Sequence, residues 1–565
     1  MLNKLVLFAI SLFVARVAGA QTIVRTATEL QEILIQDKEQ GTILLDGDLF
    51  HIAGVDVKAG AHIKPYPGRK PVLIGFHQHV KRANRKIDEY GYWSVPIKSY
   101  GYTQIVFLDE NLEAMPFSCH ISVHDGYDVK ANEIKVIKKD ERLVEIPIRN
   151  EFEFLKNRDK TFFKNFSIKM GYWFVGMTLN QIYSDNEYIY GKIDNDYNLN
   201  LLSRRPNAKV RLDFFNLPKV GDGVYLDGND ELHVPAKYNE VRICTTPPIL
   251  NLSGNRAITF ENITFTGANG DAILIEGSNK HFKNCVFRNC GSCVVASGNK
   301  YSNCSVIGCS MENLYNNIAI KLSNVNNAVV EGNTIRHTGT LMKGGSVVTV
   351  GGLDFNVRNN HISDYSYIAI NASMTRDYRP GTMRGLISEN VVDNEANWGK
   401  ADNQLTDGGG IYVMTHTDGV TIENNIVRNI GYDGCELWGI YLDDGAYNCT
   451  VRRNLVYNLW PGQYAMTARY VDECERSCMS NIFEDNIFIG PCKIAGNRKG
   501  FGNKTIIRDN YIVGDLNTQG EEYVTLDGNR FVSATVRKDG RIVFGKGSRV
   551  KKSGFLRSIK KLIIR

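Results

Sequence analysis

The chain has 565 residues, of which 52 are glycine, 14 are proline and 43% are hydrophobic. This hydrophobic content excludes wholesale disorder, and abundant glycine with scarce proline favours short strands and tight turns over a helical fold. Residues 537–565 hold eleven lysines and arginines but one acid, and residues 1–20 hold two basic residues, so the net charge of +6 leaves residues 21–536 at −6. A mildly acidic body is not the surface of a nucleic-acid-binding protein.

Residues 1–20 have the pattern of a secretory signal peptide. Lys4 supplies the positive charge, an apolar run follows at residues 5–14, and Ala18-Gly19-Ala20 matches a cleavage site. The run is too short to span a bilayer, and no later stretch of about 18 apolar residues exists. The sequence therefore predicts a periplasmic or secreted protein without a membrane span.

Three segments lie outside residues 246–520, which contain a sequence repeat. Residues 21–76 contain a short amphipathic stretch and then short strands, which predicts an N-terminal cap and the first coils. Residues 77–245 alternate apolar and polar residues and are rich in aromatics, which favours an inserted antiparallel β-sandwich lobe. Residues 521–565 end the chain with a basic tail, which either contacts anionic lipid or glycan or remains a solvated terminus.

Residues 246–520 repeat one unit: alternating apolar residues, an asparagine, and a second apolar pair. Intervals of 19 to 35 residues separate the copies, and such a period predicts stacked coils. An asparagine can adopt the left-handed backbone of a corner and bond to its neighbour. We therefore expect an all-β fold, a right-handed parallel β-helix, with these asparagines at one corner: Asn262, Asn284, Asn303, Asn333, Asn360, Asn390, Asn424 or Asn425, Asn454, Asn486 and Asn510.

Twelve cysteines occur in this chain, for which export is predicted. Cys285 and Cys304 each follow a repeat asparagine, which favours packing inside successive coils as small apolar residues. Cys474, Cys478 and Cys492 could hold one disulfide. A zinc site at that group is weak, because no histidine lies at the usual ligand spacing.

Two segments on the longer loops carry carboxylates beside a shared Gly-Ile-Tyr. The first is residues 407–412, beginning with Asp407, and the second is residues 436–445, with Glu436, Asp443 and Asp444. The shared tripeptide predicts that Tyr412 and Tyr441 occupy equivalent places on adjacent coils, about 4.8 Å apart. Cleavage of a glycosidic bond needs one protonated and one ionised carboxylate, and crowding separates the pKa values of two such groups.

We expect Asp407 and Asp444 to be the catalytic pair. Asp443 is the next candidate for a catalytic carboxylate, and Glu436 is the candidate after it. Aromatic and polar side chains nearby are candidates for sugar contact, namely Trp398, Tyr412, His416, Trp438 and Tyr441. The same aspartates could instead be turn residues, because Asp-Gly pairs are common in turns. No cofactor is expected, although aspartate clusters in loops can also bind Ca²⁺.

The segment Asp-Gly-Gly-Gly-Ile-Tyr, followed about 30 residues later by Gly-Ile-Tyr-Leu-Asp-Asp-Gly, resembles the bacterial right-handed β-helix repeat proteins. Within them it is similar to glycoside hydrolase family 141 and more distantly to family 120. The resemblance implies a glycosidase acting on plant or other complex glycans. It also implies that Asp407 is one catalytic acid and that Asp443 or Asp444 is the other.

The predicted function is therefore an exported, monomeric glycoside hydrolase whose partner is a polysaccharide or oligosaccharide. A polysaccharide lyase or epimerase is the first alternative, and it would need cations to neutralise a uronate and a base to take the C5 proton. The candidates for those roles are Arg336, His337, Lys343, Arg376 and Arg384. A non-catalytic glycan-binding β-helix is the second alternative.

Overall fold

A computed structural model of the chain describes a large part of its length. The described residues are 21–76, 78–88, 91–96, 106–115, 127–160, 167–172, 175–193, 196, 199–200, 202, 209–215, 223–226, 231–244, 248–296, 298, 300–342, 344–373, 383–396, 406–414, 417–432, 435–443, 446–468, 480–495, 504–519, 524–536 and 542–544.

The described strands form a right-handed parallel β-helix, as the repeat predicts. Fourteen of them pair in parallel, turn upon turn, in a first sheet. They are Gln21–Val24, Glu39–Leu45, Gly60–Pro65, Ile258–Glu261, Lys280–Lys283, Ser305–Ile307, Val329–Glu331, Leu353–Arg358, Met383–Ser388, Thr417–Glu423, Thr450–Arg452, Ile482–Glu484, Thr505–Arg508 and Val524–Asp527.

A second parallel sheet of 23 described strands has two arms separated by a corner. The near arm holds Leu49–His51, Val72–Ile74, Thr264–Glu276, Val286–Ala296, Ser310–Asn316, Thr334–Met342, His361–Ser363, Val391–Asp393, Ile426–Ile430, Leu455–Leu459, Ile487–Ile489, Tyr511–Val513 and Arg530–Phe531. The far arm holds Val55–Val57, Leu250–Ser253, Ile320–Leu322, Ser346–Val350, Ile368–Ala372, Thr406–Val413, Glu436–Leu442, Met466–Ala468, Cys492–Ala495 and Leu516–Gln519; Thr264–Glu276 and Val286–Ala296 run through the corner into it.

One continuous apolar core runs inside the stacked turns from Val24 to Val524. The inward residues of each strand stack on those of the next turn, as the rings of Phe265 and Phe287 do at 4.8 Å. The helix Ala27–Leu34 packs on the first turns through Leu30 and Leu34. Each turn thus buries an apolar face that a single turn could not bury alone.

The corner between the two sheets carries a ladder of buried asparagines. Each donates its Nδ2 to the Oδ1 of the next, as Asn390 does to Asn425 at 2.9 Å, and also to a carbonyl of the preceding turn. The residue before each rung has a left-handed backbone, for example Asn424 with φ +57°. The rungs are Asn333, Asn360, Asn390, Asn425, Asn454, Asn486, Asn510 and Asn529.

The expectation for Asn303 is wrong, because it lies at a different corner. Its Nδ2 donates to Asn279, and Ser305 pairs with His281 in the first sheet. Cys304 therefore does not stack on Cys285. Instead Cys309 occupies the place equivalent to Cys285, since Ser310 donates its backbone N–H to the carbonyl of Cys285.

Core packing of the cysteines is confirmed for those in the described residues. Nine are buried free thiols, among them Cys492, so Cys492 takes part in no disulfide. Cys474 and Cys478 lie outside the described residues. Burial raises the pKa of the Cys492 thiol, which makes it an apolar packing group and not a nucleophile.

The chain leaves the turns after Val72–Ile74 and returns at Leu250–Ser253, both in the second sheet. Between them a seven-stranded antiparallel sheet has its own apolar core, in the order Tyr127–Lys130, Lys209–Phe215, Ser167–Tyr172, Val175–Ser184, Tyr188–Ile193, Leu143–Pro147 and Lys135–Lys138. Two three-stranded antiparallel sheets share a separate apolar core. They are formed by Tyr225–Leu226, Glu231–Pro235 and Tyr92–Pro96, and by Gln78–Lys81, Glu240–Cys244 and Val106–Leu108. The predicted domain boundaries remain predictions.

The remaining elements are short. Two 3₁₀ helices lie in the inserted segment, two strands pair in parallel at a corner of the turns, and an antiparallel hairpin follows the last turn. They are Ala131–Glu133 and Asn150–Leu155, Tyr301–Ser302 with Val325–Asn326, and Ala534–Val536 with Ile542–Phe544.

Candidate active site

The two Gly-Ile-Tyr segments lie on adjacent turns of the far arm. Thr406–Val413 and Glu436–Leu442 pair in parallel, with Tyr412 opposite Tyr441. The two tyrosine rings lie 4.8 Å apart between centroids. The equivalence predicted from the shared tripeptide is therefore confirmed.

Asp407 is the extra residue of a β-bulge in this pairing. Thr406 pairs with Glu436 and Gly408 with Leu437, so Asp407 has no partner of its own in the register. Its φ is +68°, a left-handed value that asparagine and aspartate adopt more readily than most other residues except glycine. Bulges redirect side chains and are common beside active sites.

Gly408 and Gly409 make this bulge possible. A Cβ on Gly408 would lie 2.5 Å from the Tyr367 ring, and one on Gly409 would lie 2.3 Å from the Trp438 carbonyl oxygen. Any larger residue would push the two turns apart. The glycines that followed Asp407 in the motif are therefore needed for close approach.

Two tyrosines from the neighbouring turns hold Asp407. Tyr441 on the following turn donates its hydroxyl to Oδ1 of Asp407 at 3.0 Å. Tyr367 on the preceding turn donates its hydroxyl to the Asp407 backbone carbonyl at 2.8 Å. One bond orients the carboxylate and the other fixes the strained backbone beneath it. The sequence analysis did not single out Tyr367.

Asp443 is buried at the end of the second strand. It is 3% exposed, and Tyr412 donates its hydroxyl to Oδ2 of Asp443 at 2.5 Å. The Asp443 backbone N–H also donates to the carbonyl of Val413, and its carbonyl accepts from Ala446. These bonds hold Asp443 at the end of its strand.

Burial and the two aspartates keep the tyrosine hydroxyls protonated. Burial raises the pKa of Tyr412, and the charges of Asp443 and Asp407 raise it further. Burial likewise raises the pKa of Tyr367, and the same two carboxylates add to the effect. Both hydroxyls therefore remain hydrogen-bond donors at any pH at which the protein would act.

Glu436 and Trp438 lie beside Asp407 and nearer the surface. Glu436 is exposed and stands opposite Thr406, on the turn that follows Asp407. Trp438 is partly exposed and packs edge-on against Tyr441, with 4.3 Å between ring centroids. A partly exposed carboxylate, an exposed carboxylate and an indole therefore lie on neighbouring positions of these two paired strands.

The structure locates six of the nine predicted site residues. Tyr412 and Tyr441 are buried, with 5% and 0% exposure, and their hydroxyls are bonded to carboxylates. Their direct contact with a sugar stays a prediction, and their described role is to position Asp443 and Asp407. The other three, Trp398, His416 and Asp444, lie outside the described residues.

Each of the described cations proposed for a lyase is paired with a carboxylate. Arg336 lies 2.6 Å from Glu312, His337 lies 2.7 Å from Asp364, and Arg384 lies 2.8 Å from Asp354. Arg336 and His337 belong to the near arm, and Arg384 belongs to the first sheet, whereas Asp407 lies in the far arm. Lys343 and Arg376 lie outside the described residues.

The described residues contain neither a candidate metal-binding cluster nor a helix that could span a membrane. No group of three or more His, Cys, Asp or Glu among them is arranged to hold a metal ion. Within the same part of the chain, none of the helices has the length and hydropathy needed to cross a bilayer.

The fold and the carboxylate cluster define a parallel β-helix protein with a candidate site on its far arm. In agreement, a family model described as "Right handed beta helix region" matches residues 248–425. A search of curated proteins gave no match.

Solved structures share the fold at low sequence identity. A structure described as "Glycoside hydrolase" is 12% identical with a TM-score of 0.50, covering 89% of this chain and 90% of its own. The complex of XylC with xylose is 13% identical with a TM-score of 0.32, covering 88% and 70%. The PL6 family alginate lyase AlyGC is 12% identical with a TM-score of 0.34, covering 53% and 52%. At these identities the likeness concerns the fold alone.

Proposed function

We propose that this protein is an exported glycoside hydrolase that cleaves a polysaccharide or oligosaccharide at Asp407. The observation that carries the proposal is the bulge at Asp407. A strained backbone is held from both neighbouring turns, beside a second carboxylate and a partly exposed indole. Strain of this kind persists only where the surroundings impose it, and it clusters at active sites.

Asp407 supplies one of the two carboxylates that glycoside cleavage requires. Asp444 is the proposed partner, because it directly follows the buried Asp443, whose carboxylate accepts a hydrogen bond from Tyr412. Glu436 is the second candidate partner, since its strand position adjoins Asp407. Trp438 would stack on a sugar face.

Two further features support the proposal. The Asp-Gly-Gly-Gly-Ile-Tyr and Gly-Ile-Tyr-Leu-Asp-Asp-Gly segments resemble glycoside hydrolase families 141 and 120. A structure described as "Glycoside hydrolase" also shares the fold over most of both chains. Action outside the cytoplasm follows from the signal-like residues 1–20, and we propose a monomer.

The test is a panel of glycans assayed for new reducing ends with the full secreted chain. Asp407→Asn should lower turnover by about 10²–10⁴-fold, and Asp444→Asn or Glu436→Gln should do the same for whichever residue is the partner. Asp354→Asn, which changes an exposed carboxylate on the first sheet, is the matched control and should leave turnover unchanged.

Other outcomes would redirect the assignment. Product absorbance near 232 nm without hydrolysis would indicate a lyase, because β-elimination leaves an unsaturated uronide. Binding without reducing ends would indicate a glycan-binding protein. Full turnover by Asp407→Asn would remove Asp407 from the chemistry.

A further inference from the structure

The corner between the near and far arms has its own column of left-handed residues. In four turns this residue is an asparagine with φ between +53° and +59°, namely Asn289, Asn313, Asn429 and Asn458. Two turns between them have another residue with the same backbone: His337 has φ +56° and Asp364 has φ +49°. Histidine and aspartate also adopt this backbone, so the turn itself is compatible with both residues.

His337 and Asp364 form a pair at the surface of this corner. Nδ1 of His337 lies 2.7 Å from Oδ2 of Asp364, and the two side chains are 55% and 30% exposed. The bond to Asp364 fixes the ring through Nδ1 and leaves more than half of the side chain accessible. When the ring is protonated, such a pairing leaves Nε2–H as a directed donor.

The net charge around His337 depends on its protonation. Its neighbours on the adjoining strands are Arg336, Glu312, His361 and Asp364. Protonation of His337 adds a second cation beside Arg336, next to the anions Glu312 and Asp364. The bond to Asp364 raises the pKa of His337, so the cationic form extends toward neutral pH.

From this corner the chain continues into the far arm, which carries the proposed active site. Asp364 lies three residues before Tyr367, whose hydroxyl bonds to Asp407. His337 is one turn further away, so it lies two turns before Asp407, or about 10 Å along the helix axis at ~4.8 Å per turn. The inserted segment adjoins the same corner, since Glu113 pairs with Arg288 at 2.9 Å and Asn289 donates to the carbonyl of Leu112.

We propose that His337, oriented by Asp364, forms a subsite that binds an acidic substituent, a carboxylate or a sulfate, of the glycan held at Asp407. The inference rests on the proposed function and names its substrate class. A charge-assisted bond from the imidazolium to an acidic oxygen is stronger than a bond to a neutral hydroxyl. The subsite would select acidic over neutral glycans below the pKa of His337.

Affinity electrophoresis through embedded glycans tests this without turnover, using the full chain with Asp407→Asn. Glucuronoxylan against unsubstituted xylan tests a carboxylate, and dextran sulfate against dextran tests a sulfate. At pH 5.5 we expect retardation by one acidic glycan and not by its neutral counterpart. His337→Asn should weaken that binding about tenfold or more, and raising the pH to 8.5 should have the same effect on unaltered His337.

The controls separate binding from folding. Asn313 occupies the same corner one turn earlier, so His337→Asn should keep the backbone and the melting temperature. Asp364→Asn keeps the imidazole but removes its carboxylate, and retardation should then be lost at lower pH. His62→Asn changes a histidine that pairs with Glu261 at 2.6 Å on the first sheet, and it should have no effect.

Failure of this inference is distinguishable from failure of the proposed function. If neither acidic glycan is bound in a manner that depends on His337 and pH, the subsite is wrong, whatever the reducing-end assay shows. If Asp407→Asn keeps full turnover while His337-dependent binding is seen, the assignment of Asp407 is wrong and the subsite stands.

Discussion

Tyr441→Phe is the sharpest test of how Asp407 is held. The substitution removes one hydroxyl, which donates to Oδ1 of Asp407 at 3.0 Å, and leaves the ring. Tyr441 is fully buried, and its contacts with Trp438 and Tyr412, at 4.3 and 4.8 Å between centroids, should persist. The change therefore isolates one hydrogen bond to a carboxylate.

The expected size follows from the strength of such a bond. A hydrogen bond to a charged group contributes about 1.5–3 kcal/mol, and each ~1.4 kcal/mol changes a rate tenfold. If the bond orients Asp407 in the transition state, kcat should fall by about 10- to 150-fold. KM should change by less than about threefold, because the hydroxyl is buried and bonded to Asp407.

The assay is steady-state release of reducing ends on the best glycan of the panel, with melting temperatures measured in parallel. Tyr457→Phe is the matched control, because Tyr457 is 1% exposed and its hydroxyl accepts from Arg428 at 2.9 Å, away from the site. An unchanged kcat in Tyr441→Phe would refute the positioning argument. An equal loss in Tyr457→Phe would show that the effect is one of general packing.

Two predictions concern stability, both measured by urea denaturation. Lys280 is 1% exposed, and burial lowers its pKa to about 8. Above pH 8 the folded protein therefore loses this proton while the unfolded chain still keeps it. The free energy of unfolding should accordingly rise between pH 8 and about 10.4. Lys280→Met should stabilise the fold by about 2 kcal/mol at pH 7, with a smaller gain at pH 10, and destabilisation at pH 7 would contradict this. Asn425→Ala removes a buried rung bonded to Asn390 and Asn454 and should cost about 3–5 kcal/mol. Asn303→Gly, which keeps the left-handed backbone of an exposed corner, should cost less than about 1 kcal/mol, and equal costs would show that the buried ladder has no special role.

The sequence alone was sufficient for the fold because the repeat is a local pattern. Alternating apolar residues around an asparagine specify a strand, a left-handed corner and a second strand within about ten residues. The asparagine ladder from Asn333 to Asn529 then follows from stacking, since equivalent residues of adjacent turns must meet. The adjacency of Tyr412 and Tyr441 has the same origin.

The local sequence pattern gave a wrong prediction where two corners of the β-helix have similar sequences. Asn303-Cys304 reads like Asn284-Cys285, but Ser305 pairs with His281 in the first sheet and not with Val286 in the second. Which corner an asparagine occupies depends on the strand register between turns. That register is set by packing of the whole inner face, which no single repeat contains.

What the tertiary structure decided about the site is the environment of each carboxylate. The sequence places Asp407, Glu436 and Asp443 near two equivalent tripeptides, but the bulge at Asp407 appears only when its strand pairs with the next turn. The burial of Asp443 and the bond from Tyr367 likewise arise between turns. Residues 29 to 40 positions apart in sequence become neighbours through stacking, and the solvent exposure and bonding of a carboxylate depend on those neighbours.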